Sequence, residues 1–135
     1  MKRNTLIIAG VIILVAGYIV AQQVNTGTRL TPAEVQQAVQ DDSSVVILDV
    51  RTPAEFTGEL GHIQGAMLIP VQELEQRAGE LDKYKKHRII TVCRTGHRSA
   101  TAAEILKAKG FDVVDMVGGM TRWNAEHLPV EKPVQ

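Results

Sequence analysis

Four consecutive apolar residues, Val45-Val46-Ile47-Leu48, run directly into Asp49. A half-buried strand alternates apolar with polar residues, so an unalternated run of this kind belongs to a strand covered on both faces. Such strands are typical of parallel sheets, and parallel neighbours must be joined by crossover connections, usually helices. The run therefore commits the chain to alternating strands and helices.

The flanking sequence keeps that rhythm. Thr31-Pro32-Ala33-Glu34 opens a helix with a capping box and proline at its first position, and Leu30 is placed to staple onto Val35. Thr52-Pro53-Ala54-Glu55 repeats the pattern and predicts a short helix ending between Phe56 and Gly58. Gly61-His62-Ile63-Gln64-Gly65 is a turn-rich connection, and Ala66 to Ile69 a short strand stopped by Pro70. Val71 to Leu81 reads as one helix with Val71, Leu74, Ala78 and Leu81 on one face, weakened by Gly79. A strand from Arg88 to Cys93, a helix from Ser99 to Lys109 ended by Gly110, and a strand from Asp112 to Met116 follow. A Gly118-Gly119 loop leads to a last helix, Thr121 to His127, closed near Pro129. The fold class is α/β with a mainly parallel central sheet.

Sites in such sheets gather at the carboxyl ends of the strands, which is where the one cysteine lies. A solitary cysteine is ordinarily a small buried hydrophobe. Cys93, however, falls between a buried strand and a helix, within Cys93-Arg94-Thr95-Gly96-His97-Arg98-Ser99. Helix N-terminal amides and the neighbouring Arg94 and Arg98 favour negative charge there, hence thiolate over thiol. Gly96 supplies the backbone freedom for amides 94–98 to curl around the sulfur. That cradle suits a persulfide anion equally, and the two arginines suit an oxyanionic donor such as thiosulfate. Sulfur transfer through a Cys93 persulfide, in two half-reactions related to thiol–disulfide exchange, is the expected chemistry.

Four stretches, Asp49 to Phe56, Gly61 to Ala66, Cys93 to Ser99, and Gly118 to Trp123, together resemble the single-domain rhodaneses, a family of thiosulfate sulfurtransferases. The resemblance covers about residues 29–130. It implies a rhodanese-like three-layer domain with a five-stranded parallel sheet flanked by helices, Cys93 as the persulfide carrier, and residues 94–98 as its cradle. It also implies cyanide or a thiol as acceptor, with a protein thiol among the candidates; the loop arginines point to a small anionic sulfur donor, and since no Cys/His spacing resembles a zinc site, neither metal nor cofactor is expected.

Two alternatives share this fold: a persulfide-carrying module without turnover, and phosphatases or arsenate reductases built on Cys-x5-Arg loops. Here the spacing is Cys-x4-Arg, with Ser99 where the longer loop has its arginine, and Val92 where many phosphatases have histidine. Other residues have plainer readings. Asp49 either orients the loop or biases the thiol, or else caps the Thr52 helix, and Arg51 is expected to pair with Glu55 rather than with substrate. His62 is expected to be satisfied by backbone groups, His97 to rim the pocket or face solvent, and Ser99 to donate to the sulfur or cap the helix. Trp123 reads as core. His87 and the Lys83, Lys85, Lys86, Arg88 cluster read as a solvated connection, with an approach path for an anion as the alternative.

The N-terminus differs in kind. Lys2 and Arg3 precede an uncharged run from Leu6 to Ala21. As a helix this spans roughly 24 Å, short of the roughly 30 Å hydrocarbon core, and fits either an anchor or a signal segment. Residues 1–21 are expected to be that segment, 22–28 a linker, and 29–135 the domain. The basic flank predicts a domain on the non-cytoplasmic, periplasmic side, tethered to the membrane or released there by cleavage. Beyond residue 28 the chain has 13 basic residues against 15 acidic ones, a balance that offers nothing to nucleic acid.

Overall fold

The computed structural model describes residues 29–133. The anchor or signal expectation for residues 1–21 and the linker expectation for 22–28 lie outside that range. Among the described residues no helix is long and apolar enough to cross a membrane.

Five parallel strands form the sheet: β1 (Arg29–Leu30), β2 (Val46–Asp49), β3 (Met67–Leu68), β4 (Arg88–Val92) and β5 (Asp112–Met116), in the order β1-β5-β4-β2-β3. The unalternated runs are explained by what each face meets. Leu48, Ile89 and Val113 join one apolar cluster, with Leu74, Leu81, Leu106 and Phe111, while Ile47, Ile90 and Val114 join the other, with Val35, Met120 and Trp123. Successive strand residues point to opposite faces, so both must be apolar when both are covered.

The helices are α1 (Pro32–Asp41), α2 (Pro53–Phe56), α3 (Leu74–Arg77), α4 (His97–Ala108) and α5 (Gly119–Ala125). Both capping boxes form as expected. Thr31 accepts from Glu34 N while Glu34 accepts from Thr31 N, and Thr52 and Glu55 do the same. Leu30 and Val35 are buried in one cluster. Trp123 is fully buried, its indole N–H donating to Pro129 O at 2.9 Å.

Three helix boundaries differ from expectation. The single helix over Val71 to Leu81 is instead a 3-10 turn, the short α3, and a second 3-10 stretch from Ala78 to Tyr84. Gly79 lowers helix stability there, yet Leu74, Ala78 and Leu81 are still buried together. Helix α4 begins at His97, two residues early, because Gly96 serves as its N-cap. Helix α5 begins at Gly119 and stops at Ala125, with His127 in the left-handed region ahead of Pro129.

The register sets the site. Asp49 is opposite Val92, and Val50 N donates to Val92 O at 2.8 Å, so β2 and β4 end side by side at the middle of the sheet. Cys93 follows β4 at this edge. The lysine cluster lies before Arg88, at the other end of β4, roughly 17 Å away at 3.3 Å per residue. It is therefore not an approach path to the cysteine.

Candidate active site

Cys93 is almost fully buried, 1% exposed, at the floor of the loop that joins β4 to α4. Gly96 adopts φ +105°, a conformation glycine reaches without a Cβ penalty, and this turns its N–H back onto Cys93 Sγ at 3.0 Å. The amides of Arg94, Thr95, His97, Arg98 and Ser99 have no hydrogen-bond partner among the described residues. Those of residues 97–99 belong to the first turn of α4, whose N–H groups no intrahelical carbonyl can reach. The result is a run of unpartnered donors in the loop on either side of the one amide that meets the sulfur, suited to an anion.

Ser99 fills neither role expected of it: it accepts from the Cys93 thiol instead of donating to the sulfur, and the N-cap of α4 is Gly96, with no side-chain cap bond. Its buried hydroxyl lies 3.5 Å from Sγ and donates to Gly96 O at 3.2 Å. Thr91, on β4, donates to Ser99 O at 2.9 Å and ties the first turn of α4 to the sheet.

The loop is also held from below by α5, a support missed in reading Gly118-Gly119 as a plain loop. Met120 N donates to Cys93 O at 2.8 Å and Thr121 N to Arg94 O at 3.0 Å. At Gly119, φ +57°, a Cβ would overlap the Cys93 and Arg94 carbonyls, so only glycine permits this approach. The signal was present as two adjacent glycines before a helix, but its partner was not.

The ionic partners also differ from expectation. Glu55 does not pair with Arg51. Its carboxylate takes Arg98 in a bidentate pair at 2.7 and 2.8 Å, across 43 residues of sequence, while still capping α2. The Arg98 hydrogen bonds hold the Glu55 carboxyl down at about 2, against an ordinary 4.5. The same pair raises Arg98. Arg98 is thus committed to the protein rather than offered to an oxyanion.

Arg51 is fully buried and meets both oxygens of Asp49, at 2.7 to 3.0 Å. It also donates to Gly61 O at 2.7 Å and Glu55 O at 3.1 Å. Asp49 accepts from Arg51 N rather than capping the Thr52 helix. The two residues brace the connection after β2, which carries Glu55 to Arg98, and neither hydrogen-bonds to the cysteine loop.

Arg94, Thr95 and His97 are exposed. Arg94 has no ion-pair partner among the described residues, which leaves it the uncommitted cation of the loop. His62 stacks on Phe56 and its Nδ1 lies 3.0 Å from Phe56 O, with Nε2 3.3 Å from Glu131, away from the sulfur loop. His87 is held by Ser44 O at 2.9 Å, beyond the far end of the sheet.

A five-stranded parallel sheet with a cysteine at the carboxyl end of its central strand, followed by an amide-lined turn into a helix, defines a class of α/β domain with a cysteine-bearing loop at the strand-to-helix junction. Residues 31–126 match the family model described as the rhodanese-like domain, and the chain belongs to that family. A Bacillus subtilis protein named as a candidate sulfur carrier, YrkF, is 40% identical over 92 residues, 67% of this chain and 48% of its own length. A protein of Allochromatium vinosum named sulfurtransferase is 31% identical over 100 residues, covering 73% of this chain and 90% of its own. The crystal structure of a rhodanese-like domain protein from Staphylococcus aureus superposes with a TM-score of 0.66 at 33% identity, over 77% of this chain and 98% of its own. Five curated relatives are longer proteins, of which the chain spans between 28% and 60%.

Proposed function

We propose that this chain transfers a sulfane sulfur from thiosulfate, or a related small anionic donor, to cyanide or a thiol through a persulfide on Cys93. The observation that carries the reading is the Gly96 N–H directed at Cys93 Sγ within a run of unpartnered loop amides. The Cys93 thiolate attacks the outer sulfur of thiosulfate, a new S–S bond forms, and the old S–S bond breaks with its electron pair leaving on sulfite. The outer sulfur of the persulfide lies about 2.05 Å beyond Sγ, where the free amides can share its charge. The acceptor, a low-molecular-weight or protein thiol or cyanide, then attacks that sulfur, and the Cys93 thiolate departs.

In this reading Arg94 receives the sulfonate end of the donor, Thr95 and His97 rim the entrance, and Gly96, Arg98 and Ser99 hold the loop in shape. Asp49 and Arg51 support it from the neighbouring strand end. Residues 1–21 tether the domain to a membrane on its non-cytoplasmic side, or direct it to the periplasm if they are removed.

Thiosulfate is expected to add one sulfur atom to the intact protein by mass spectrometry, and cyanide to remove it as thiocyanate. Turnover by a Cys93→Ala variant would refute the mechanism. The relative named as a sulfur carrier supports a second reading, a module that loads but does not turn over. A persulfide that forms on Cys93 but yields no thiocyanate when cyanide is added would favour it.

A further inference from the structure

The geometry points to Arg29 as a positioning residue that fixes the orientation of the Gly96–His97 peptide in the cysteine loop, an inference that rests on the sulfur-transfer reading above. Arg29 lies on the edge strand β1, separated from β4 by β5. It nevertheless reaches the loop. Its Nε and Nη2 meet the Asp115 carboxylate at 2.8 to 3.1 Å, and Nη2 also donates to Gly96 O at 3.3 Å.

The sheet register places this contact. Arg29 is paired with Asp115, and Asp115 with Thr91, so the three side chains form a row across one face of the sheet beneath the start of α4. Thr91 holds Ser99 O and Arg29 holds Gly96 O. Asp115 is buried, with 5% of its side chain exposed, and its carboxylate fixes the guanidinium in the plane that reaches the loop.

The consequence follows from the planar trans peptide, in which a carbonyl and the next N–H point in opposite directions. Drawing Gly96 O back toward Arg29 sends the His97 N–H out through the helix N-terminus, unpartnered and next in sequence to the Gly96 N–H that meets Cys93 Sγ. Gly96 has no side chain to resist a peptide flip. The other donors to Gly96 O, the Ser99 hydroxyl at 3.2 Å and Ala100 N at 3.4 Å, both belong to α4 and move with it. Arg29 is the contact that ties this peptide to the sheet. Nothing in the rhodanese-like match assigns Arg29, which precedes the matched residues 31–126.

The test uses the full chain with Arg29→Ala, Arg29→Lys, and Arg88→Ala as a control that removes another interstrand pair, Arg88–Asp112, at the opposite end of the sheet. Loss of a whole oxyanion donor slows reactions by about 10²–10³-fold, and loss of orientation at one donor should cost less, about tenfold. Arg29→Ala is therefore expected to slow persulfide formation at saturating thiosulfate about tenfold, with the thiosulfate KM changed less than about twofold. Arg29→Lys, which keeps a donor for Gly96 O, should recover most of that rate, and Arg88→Ala should leave it unchanged. In ¹⁵N-labelled protein the Gly96 and His97 amide resonances should move in Arg29→Ala and stay in place in Arg88→Ala. Unmoved resonances would overturn the inference whatever the rate does, as would equal slowing by Arg88→Ala. If the wild-type chain takes no sulfur from thiosulfate, the functional reading fails, and the amide resonances alone then decide whether Arg29 positions the peptide.

Discussion

Glu55→Gln separates two functions that one carboxylate performs. Glutamine is competent at the third position of a capping box, so the backbone contact between residue 55 and Thr52 survives and α2 remains capped. What is lost is the ionic character of the bidentate pair with Arg98. A carboxyl moved from 4.5 to about 2 corresponds to about 3 kcal/mol at 1.36 kcal/mol per pH unit. Part of that shift comes from the Thr52 hydrogen bonds, and 22% of the Glu55 and 32% of the Arg98 side chain remain exposed, so the share carried by the pair, after screening, is about 1–2 kcal/mol. The sign follows from the depressed value: the stabilisation is fully present above about pH 4.5 and drains away as the pH falls toward 2. Denaturant unfolding of wild type and variant should differ by about 1–2 kcal/mol at pH 7, by less than half of that near pH 3, and by almost nothing near pH 2. A difference that does not depend on pH would refute the assignment, because it would mean that packing or the cap, and not the charge pair, had been lost.

The same arrangement separates the two loop arginines. Arg94→Ala should raise the thiosulfate KM about tenfold with little change in stability, whereas Arg98→Ala should cost stability first, and steady-state kinetics beside a denaturation curve will distinguish them. Arg51→Ala leaves Asp49 charged and buried without its partner, and should destabilise by about 3–5 kcal/mol in the same denaturation assay. Gly119→Ala combines a left-handed φ with overlap onto the Cys93 and Arg94 carbonyls. It should cost more than about 2 kcal/mol in stability and also slow persulfide formation, since α5 supports the loop. A Gly119→Ala variant of wild-type stability and rate would show that the loop does not depend on that support.

What could be read from the sequence was what local chemistry determines. Thr31 and Thr52 form their capping boxes because donor and acceptor are three residues apart, and the apolar runs of β2, β4 and β5 need only the two-residue period of a strand to declare two covered faces. Cys93 at a strand-to-helix junction is likewise a local fact. The errors lie where partner choice depends on register. Arg51 and Glu55 are four residues apart and look like a pair, but Arg51 faces back to Asp49 at the end of β2, which frees the Glu55 carboxylate for Arg98 on another helix.

The support of the loop was invisible for the same reason. Cys93 O and Arg94 O are held by amides from α5, and Gly96 O by a side chain 67 residues earlier. Two backbone contacts and one guanidinium thus come from elements at opposite ends of the domain. A loop with a glycine at its apex has many conformations open to it, and each of these contacts removes some of them. In the proposed reaction the reactive atom is specified by one residue, but the contact that holds the Gly96 carbonyl beside it depends on the order in which β1, β5 and β4 lie side by side. A variant that leaves Cys93 to Ser99 intact can therefore still lose the chemistry, and the Arg29 and Gly119 substitutions ask how much of it resides outside the loop.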